Sequence, residues 1–408
     1  MAKYKSVTQL STNACNSGSG IAAIRLHSAL KDSKEYESYF FTEFMKRKDS
    51  YKNLIYENKF RTFYRKILSK TYKKLVSNIS FLNSNLESYS LFPIVPRINL
   101  SYKLNSDIYN IHWVQHEFIN IYDIYNLPKN RIVWTMHDCW PIESTEHYPL
   151  QRERPFFYKK IQKFIKEKKK ELIKQKNIYL VAPSNWIKNQ ALSSFDDFLP
   201  KVITIPNAIP DIFFEEYSKS KARRNLNLPQ DKILILFSSY GGEGDLRKGM
   251  KFIRELLNVK ENKNSNIEFI TIGSFKELNK YNKENFSNLG KIEGDFKLRE
   301  VYKAIDIVLV PSKIDNLPQV ATESQACGRP VIGFNTGGME DIVVNEKTGY
   351  LSQTQDHISI QKNINRVIEK NFLDESKANQ ISKRAFNLWN NNVVKDSYTD
   401  LYNKMLEK

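Results

Sequence analysis

Short apolar runs rich in Val and Ile recur along the chain, and each is bounded by polar or turn-forming residues. Apolar runs of this length are typical of strands buried on both faces of a parallel sheet. They fall at Val7 to Leu10, Asp107 to Trp113, Arg131 to Met136, Ile178 to Ala182 and Val202 to Ile205, and later at Ile233 to Ser238, Ile267 to Gly273, Ile305 to Val310 and Val331 to Phe334. Segments with helical spacing lie between them, so the pattern predicts an α/β fold with two doubly wound parallel sheets.

Residues 306–341 have the pattern of a nucleotide site: DIVLVPSKIDNLPQVATESQACGRPVIGFNTGGMED. A strand is followed by an irregular loop with Asp315, and then by a helix that ends at Gly328. Ligands of open parallel sheets bind beyond the carboxyl ends of the strands, where this loop lies. Loop amides at a helix start can hold a phosphate, and Glu323, further along the helix, can accept two hydrogen bonds from a ribose diol. Taken alone, Glu323 also fits a solvated acid on a helix face.

This stretch resembles the donor-binding motif of retaining glycosyltransferases of family 4. The resemblance implies the GT-B fold, in which two Rossmann-like domains face each other across a cleft. ACGRPVIGFNTGG matches the family's A-C-G-x-P-V run and GG turn, whereas Asp315 replaces the first of two glutamates eight positions apart. By resemblance, Asp315 is expected at the reacting sugar and Glu323 at the ribose. Donor contacts are expected from four loop residues, of which the first three replace Gly-Phe-Gly: Asn316, Leu317, Pro318 and Gln319.

Three glycine-containing segments are further candidates for donor binding. The first, SGSG at Ser17 to Gly20, follows the first strand, and family 4 enzymes have a glycine loop there that lies against the donor diphosphate. By that resemblance Gly18 and Gly20 are candidates, although the loop taken alone is better explained as a plain strand-to-helix turn. A single glycine, Gly273, is the third candidate. It ends a predicted strand, and by the resemblance it is expected to lie under the nucleotide base.

The second of these segments, YGGEGDLRKG at Tyr240 to Gly249, carries two cations before a helix. Lys248 resembles the family lysine that neutralises the diphosphate. Gly242 stands where the family often has an arginine, so either backbone amides or Arg247 is expected to replace that arginine. Cations are unfavourable at a helix start because of the helix dipole, and a bound anion would resolve the conflict.

The motif HDCWP at His137 to Pro141 lies at the end of a predicted parallel strand. Within it, His137 directly precedes Asp138, an acid that could orient the imidazole. It resembles the W-T-x-H-D-x-W-P signature of a bacterial polysaccharide subgroup of family 4. By resemblance, His137 is expected near the anomeric centre of the donor sugar. His112 and His116 have the spacing of a zinc pair, but they follow a strand and no third ligand is evident nearby.

The domain boundary is expected at IPNAIP, which resembles the interdomain linker of the family. The prediction is an acceptor-side domain over residues 1–207, a donor-binding domain over 208–389, and a C-terminal helix at 390–408 that packs back on the first domain. The length of 408 residues suits two domains, and three scattered cysteines suit a reducing cytosol. No apolar run is long enough to span a membrane, and the N-terminus lacks the apolar core of a signal peptide.

The net charge of +18 is concentrated in two segments. Residues 46–74 carry eleven Lys or Arg against two acids, and residues 152–176 carry eleven against three. Both interleave aromatic and aliphatic residues with the charges. Each is therefore either a surface helix with an apolar face in the core, or an interfacial helix on an anionic membrane.

The sequence as a whole predicts transfer of a hexosyl or related sugar from a UDP- or GDP-sugar to a glycan or lipid-linked glycan, with retention of configuration. The resemblance places this reaction in cell-surface polysaccharide synthesis (O-antigen or capsule), in the cytoplasm or peripherally at the inner face of the membrane. No D-x-D triplet occurs, and no metal or other cofactor is expected. The alternatives are a nucleotide-sugar epimerase on the same fold, a nucleic-acid-binding protein, suggested by the charge, and a homologue that has lost donor binding.

Overall fold

The chain divides into two compact units, and each is built around one parallel sheet. The computed structural model describes residues 4–15, 17–43, 51–77, 98, 100–116, 118–149, 156–239, 245–259, 266–273 and 285–407. The first unit comprises Met1–Pro206 together with Val394–Lys408, and the second comprises Asn207–Val393. The C-terminal segment therefore belongs to the first unit.

The sheet of the first unit has seven strands in the described part of the chain, and all of them are parallel. They are β1 (Lys5–Leu10), β2 (Tyr36–Thr42), β3 (Leu54–Tyr56), β4 (Ile108–Ile111), β5 (Ile132–Thr135), β6 (Tyr179–Ala182) and β7 (Lys201–Thr204). Across the sheet their order is β3-β2-β1-β4-β5-β6-β7. Because β4, β5 and β6 are buried along their whole length, they are mainly apolar in sequence.

Helices of the first unit connect these strands and bury one face against the sheet. They are α1 (Gly18–Leu30), α2 (Lys59–Ser77), α3 (Leu100–Leu104), α4 (Ile121–Ile124), α5 (Phe156–Lys176) and α6 (Asn185–Ser193). Helix α1 begins at Gly18, because the side chain of Ser17 caps it there.

The second unit has a parallel sheet of six strands among its described residues. They are β8 (Ile233–Ser239), β9 (Ile267–Gly273), β10 (Phe286–Asn288), β11 (Ile307–Val310), β12 (Val331–Phe334) and β13 (Gly349–Ser352), in the order β10-β9-β8-β11-β12-β13. Its helices are α7 (Lys219–Asn225), α8 (Met250–Leu257), α9 (Asp295–Ala304), α10 (Gln319–Ala326), α11 (Met339–Ile342), α12 (His357–Glu369) and α13 (Glu375–Trp389).

A last helix, α14 (Asn391–Leu406), returns the chain to the first unit. Asn390 separates it from α13, because the extended backbone of this residue ends α13. The Oδ1 atom of Asn390 accepts hydrogen bonds from the amides of Asn392 (2.9 Å) and Val393 (3.2 Å), at the start of α14. Tyr398 and Tyr402 of α14 are buried in the first unit. Their hydroxyls hydrogen-bond the side chains of Thr135 (3.0 Å) and Asn110 (3.1 Å), on β5 and β4.

Both sheets reverse their strand order at one place. In the first sheet β1 lies beside β4, and in the second β8 lies beside β11. The loops that follow two such strands diverge to opposite sides of the sheet and leave a crevice at the carboxyl edge, where ligands of doubly wound folds bind. The nine strands predicted from sequence are all present, with their ends shifted by a few residues, whereas β2, β3, β10 and β13 were not predicted.

Candidate functional site

In the second unit, the loops that follow β8 and β11 meet through a three-residue ion cluster. Asp315 Oδ2 lies 2.5 Å from Lys248 Nζ and 3.1 Å from Arg247 Nη1. Asp245 Oδ2 also pairs with Arg247, at 3.2 Å from Nη2. Gly242 and the other residues from 240 to 244 lie outside the described residues. The structure thus brings Arg247, Lys248 and Asp315 together at the strand-order reversal of the second sheet.

Backbone contacts fix the position of Asp315. Its carbonyl oxygen accepts from the amide of Gly338 (2.9 Å), and its Oδ1 accepts from the amide of Asn316 (3.1 Å). Gly337 has a φ of 57°, and a Cβ there would lie 1.9 Å from the Asp315 carbonyl oxygen. Only glycine fits so close to the backbone. The GG turn that the sequence singled out therefore supports the Asp315 loop.

The charge of Asp315 is set by the two cations. Burial raises the pKa of this carboxyl, but the charges and hydrogen bonds of Lys248 and Arg247 outweigh burial and hold the pKa well below its usual range. Asp315 is therefore ionised at neutral pH. Its described contacts make it the counter-ion of the two cations that the sequence assigned to the diphosphate.

Lys248 is fixed by the residue that follows it. Gly249 has a φ of 81°, and a Cβ there would lie 1.9 Å from the carbonyl oxygen of Pro311. The backbone of Arg247 is tied to the other loop, because its carbonyl oxygen accepts from the Lys313 amide (2.8 Å). Its guanidinium also donates to the Ile314 carbonyl oxygen (2.9 Å). The two loops thus form one well-connected structure.

Helix α10 begins directly after this cluster. Pro318 is its N-cap, no side chain caps the helix start, and its first turn contains no acid. Such a start favours an anion, because the first amides of a helix lack intrahelical acceptors and carry the positive end of the dipole. Asn316 is buried, and Gln319 is the first helical residue. The Leu317 side chain packs in the core, so Leu317 can offer a ligand only its backbone.

Glu323 is buried on α10, where its Oε2 accepts a hydrogen bond from the hydroxyl of Tyr302 (2.8 Å). Tyr302 lies on α9 and was not identified from the sequence. The solvated position that the sequence left open for Glu323 is excluded, since the side chain lies inside the unit. Gly273 ends β9 at the same carboxyl edge, with a φ of 129° that favours glycine.

In the first unit, Gly18 and Gly20 lie in the first turn of α1. The Gly20 amide donates to Ser17 Oγ (3.1 Å), and a Cβ on Gly20 would lie 2.4 Å from the carbonyl oxygen of Asn13. The described role of Gly20 is therefore close packing of the loop. A Cβ on Gly18 would meet nothing within 4 Å, so the space beside this residue is open.

His137 follows β5 and pairs with the histidine that follows β4. His137 Nε2 lies 2.9 Å from His112 Nδ1, and His112 Nε2 lies 2.8 Å from Gln9 Oε1. Burial lowers the pKa of His137 to about 4, and burial together with the proximity of His137 lowers the pKa of His112 well below its usual range. Both imidazoles are therefore neutral at pH 7, and His137 is partly exposed at the carboxyl edge of the sheet.

The charge of Asp138 acts on His137, while the side-chain hydrogen bonds of Asp138 are with other groups. Its Oδ2 lies 2.6 Å from Nδ1 of His147, and its Oδ1 accepts from the Trp140 amide (3.0 Å). Burial raises the pKa of Asp138, but the charge and hydrogen bond of His147 outweigh burial and keep the pKa low. Sequence reasoning missed His147, although a second histidine ten positions after His137 was a visible signal.

Two further results limit the chemistry of the described residues. Among them, no group of three or more His, Cys, Asp or Glu side chains is placed to hold a metal ion. No helix in the described part of the chain is long and apolar enough to cross a bilayer.

Residues 218–388 match the family model described as Glycosyl transferases group 1. The second unit is therefore similar to group 1 glycosyltransferases over most of its length. The chain is 26% identical to an uncharacterized glycosyltransferase of Methanocaldococcus jannaschii over 232 residues, and the matched region covers 53% of this chain and 58% of that protein. It is 25% identical to lipopolysaccharide 1,2-N-acetylglucosaminetransferase of Salmonella typhimurium over 227 residues, and the matched region covers 51% of this chain and 56% of that protein. The chain thus spans just over half the length of these relatives.

The fold is similar to that of solved glycosyltransferase structures over almost the whole chain. Anabaena HepE in complex with UDP-glucose superposes with a TM-score of 0.68 at 12% identity, covering 98% of this chain and 100% of that one. Together with the two parallel sheets, this similarity shows the Rossmann-like GT-B fold that the sequence predicted.

Proposed function

We propose that this protein is a retaining glycosyltransferase of family 4 that transfers a hexosyl group from a nucleoside-diphosphate sugar to a hydroxyl of a glycan. The observation that carries the proposal is the cluster of Lys248, Arg247 and Asp315 at the strand-order reversal, next to the start of α10. Two cations on well-fixed loops beside a helix start that lacks an acid fit a diphosphate.

In this proposal, the diphosphate takes over contacts that Asp315 makes in the described state. Lys248 and Arg247 then stabilise the charge that develops on the leaving diphosphate, together with the first amides of α10. Asp315 keeps both cations in place before the donor binds. In this arrangement, the side chains of Lys248 and Arg247 neutralise the charge of the leaving group.

The remaining parts of the donor are assigned to three residues. Glu323 accepts hydrogen bonds from the ribose, since its carboxylate lies on α10 beyond the proposed phosphate position. Gly273 leaves room for the base at the end of β9. His137 contacts the donor sugar as a neutral imidazole, in agreement with its lowered pKa. The complex of HepE with UDP-glucose supports a UDP-sugar as the first donor to test.

The proposed reaction retains the anomeric configuration through a front-face route. The leaving phosphate accepts the proton of the acceptor hydroxyl as the new glycosidic bond forms and the bond to the diphosphate breaks. The proposed acceptor is a glycan or lipid-linked glycan of cell-surface polysaccharide synthesis. This part is supported by the similarity to the lipopolysaccharide enzyme.

Exposed aromatic residues support an acceptor at a membrane surface. On α2, Phe60 and Phe63 are 79% and 65% exposed, and on α5, Phe156 and Phe157 are 74% and 73% exposed. Exposed lysines alternate with them, whereas the inward Arg65 of α2 pairs with Glu43 and Glu57. Helix α2 begins just after β3, at the carboxyl edge of the first sheet. We therefore place this edge against the anionic inner face of the cell membrane, with the protein in the cytoplasm.

The experiment that tests the proposal is a transfer assay with a panel of UDP- and GDP-sugars and short glycan acceptors. The one-bond and vicinal couplings of the new anomeric proton report the configuration. We expect transfer with retention by the unmutated chain, and slow transfer with normal nucleoside-diphosphate affinity for His137→Ala. An inverted product would refute the front-face route, and the absence of transfer with every donor would refute the activity.

A further inference from the structure

A fully buried lysine on α5 donates hydrogen bonds to the loop that follows β5. Lys169 is 0% exposed, and its Nζ donates to the carbonyl oxygens of Trp140 (2.6 Å), Ser144 (2.6 Å) and Glu143 (3.1 Å). An ammonium group has three donors, so all of them have acceptors here. The amine also lies 3.5 Å from the centroid of the Trp140 indole, a favourable cation–π position.

The three carbonyls belong to one tight turn. The amides of Ile142 and Glu143 donate to the Cys139 carbonyl oxygen at 3.0 Å and 2.8 Å. At the start of the turn, Asp138 Oδ1 accepts from the Trp140 amide. A carboxylate thus binds an amide of the turn, and an ammonium binds three of its carbonyls. Each charge complements the backbone groups that it contacts.

The same turn determines where the two histidines of this loop lie. Asp138 binds His147 Nδ1 with its other oxygen (2.6 Å) and directly follows His137 in the chain. The amide of Cys139 donates to the His147 carbonyl oxygen (2.8 Å), which closes the loop on itself. A shift of the turn therefore moves Asp138, and with it both histidines.

Two other side chains of α5 reach the same loop from the same helix face. The Tyr158 and Thr145 hydroxyls lie 3.0 Å apart, and Lys166 Nζ lies 3.0 Å from Glu143 Oε1. The Lys166 pair is partly exposed and therefore weak. Removal of the Lys169 ammonium, by contrast, would take one donor from each of three carbonyls inside the unit, and burial makes such a loss costly.

We propose that Lys169 is a positioning residue for sugar transfer, which holds the turn of residues 138–144 so that His137 and the Asp138–His147 pair are presented at the carboxyl end of β5. This inference rests on the proposed function, because His137 is assigned there to the donor sugar. One basic residue of α5, Lys169, thus acts inside the first unit, whereas other lysines of this helix are exposed.

The test compares Lys169→Met with Lys168→Met. Methionine preserves most of the length of the buried stem but removes the ammonium. Lys168 is the neighbouring residue on the surface, where it pairs with Glu171 (2.8 Å). Two readouts are used on the full chain: the ¹⁵N and proton resonances of the His137 and His147 rings, assigned with His→Gln variants, and sugar transfer with nucleoside-diphosphate affinity.

For Lys169→Met we expect a folded protein in which the Nδ1 proton resonance of His147 shifts or disappears. The kcat falls on the order of 10–100-fold, as for a small misplacement of reacting groups. Nucleoside-diphosphate affinity stays unchanged, because that site lies in the other unit. Lys168→Met should match the unmutated chain in every readout.

Unchanged histidine resonances and an unchanged kcat in Lys169→Met would overturn the proposal. If Lys169→Met does not fold, Lys169→Gln replaces it, since the shorter amide still offers N–H donors. Global unfolding of both variants would also overturn the proposal, because Lys169 would then be a determinant of the whole unit. If the unmutated chain transfers no sugar, the proposed function fails, and the histidine resonances alone decide about Lys169.

Discussion

At the scale of single residues, Asp315 connects the charge of the site to the stability of the second unit. The carboxylate is buried between Lys248 and Arg247, whose side chains are 24% and 13% exposed. An aspartate has a shorter side chain than the glutamate that the family places there, and here it reaches both cations from a loop fixed by Gly337. The substitution that distinguished this chain in sequence thus has a visible structural consequence.

We predict that Asp315→Asn destabilises the protein at pH 7 by about 3 kcal/mol, because two neighbouring cations lose their counter-ion. The pKa of Asp315 is lowered in the folded state, so its stabilising effect is complete above the unfolded pKa of about 3.9 and decreases as the pH falls below it. Urea denaturation should therefore show a constant difference from pH 8 to about pH 5 and a smaller one below about pH 4.

The matched control for this prediction is Glu340→Gln, which removes an exposed carboxylate from α11 in the same unit. It should change the stability by less than about 0.5 kcal/mol. A difference between Asp315→Asn and the unmutated chain that stays the same down to pH 3 would show that the ionised carboxylate is not the source of the stabilisation.

Glu323 gives a second prediction at this scale. If its carboxylate receives the ribose hydroxyls, Glu323→Gln should weaken nucleoside-diphosphate binding by about 1.5–3 kcal/mol, the usual contribution of hydrogen bonds to a charged group. A 2′-deoxynucleoside diphosphate should likewise bind the unmutated chain less tightly. Calorimetric titration measures both, and equal affinity for the two nucleotides would remove Glu323 from the ribose site.

The residues of the site differ in how far the sequence could predict them. Arg247, Lys248 and Asp315 could be singled out because each stands next to a glycine turn or a strand end. Their mutual pairing could not, since it joins positions 67 residues apart. The Asp138–His147 pair was missed because an acid next to a histidine in sequence suggests a contact between those two. In the structure, the acid also hydrogen-bonds a residue nine positions further on.

At the scale of elements, α5 shows what apolar spacing can and cannot predict. Its length follows from the run between Phe156 and Lys176, which contains neither glycine nor proline. One face is buried through Ile165, Leu172 and Ile173, so part of the apolar stripe belongs to the core. The burial of Lys169 could not be predicted, because it depends on carbonyls of a distant loop.

Strands β2 and β3 show a second limit. Tyr36–Thr42 has exposed Glu37 and buried aromatic residues around it, so it lacks the uniform apolar run by which the other strands were identified. Leu54–Tyr56 is only three residues long and only half-buried, as expected for an edge strand. Strand β3 lies at one edge of the sheet and β2 is its neighbour, so a uniform apolar run is not required of either.

The exposed aromatic residues of α5 lead to a prediction about membranes. The unmutated chain should sediment with anionic but not with neutral vesicles, and high salt should release it, because the attraction is screened over about 10 Å at 0.1 M salt. A triple variant, Phe156→Ser, Phe157→Ser and Phe164→Ser, should bind anionic vesicles more weakly, since it loses the apolar part of the contact.

The control is Phe296→Ser, which removes a 58% exposed phenylalanine from the second unit. It should sediment like the unmutated chain. If the unmutated chain does not bind anionic vesicles at low salt, or if both variants lose binding equally, the surface of α2 and α5 is not a membrane contact.

At the scale of the whole molecule, the two units repeat one topology with different chemistry at the same place. Each sheet reverses its strand order between its central strands, at β1 and β4 or at β8 and β11. The histidine loops follow β4 and β5 in the first unit, and the ion cluster follows β8 and β11 in the second. The fold was predictable because buried parallel strands leave a strong apolar signal, whereas the contents of each crevice depend on loops.

The account depends most directly on nucleoside-diphosphate binding by the second unit through Lys248. Calorimetric titration of the full chain with UDP and GDP measures it, with Lys248→Ala as the test and Lys251→Ala as the control. Lys251 lies three residues further on, with a side chain that is 73% exposed and 3.7 Å from Glu255. We predict that Lys248→Ala lowers the affinity for the preferred nucleotide by about 1.5–3 kcal/mol, while Lys251→Ala leaves it unchanged. Equal affinities of the two variants, or no binding of either nucleotide by the unmutated chain, would contradict the account.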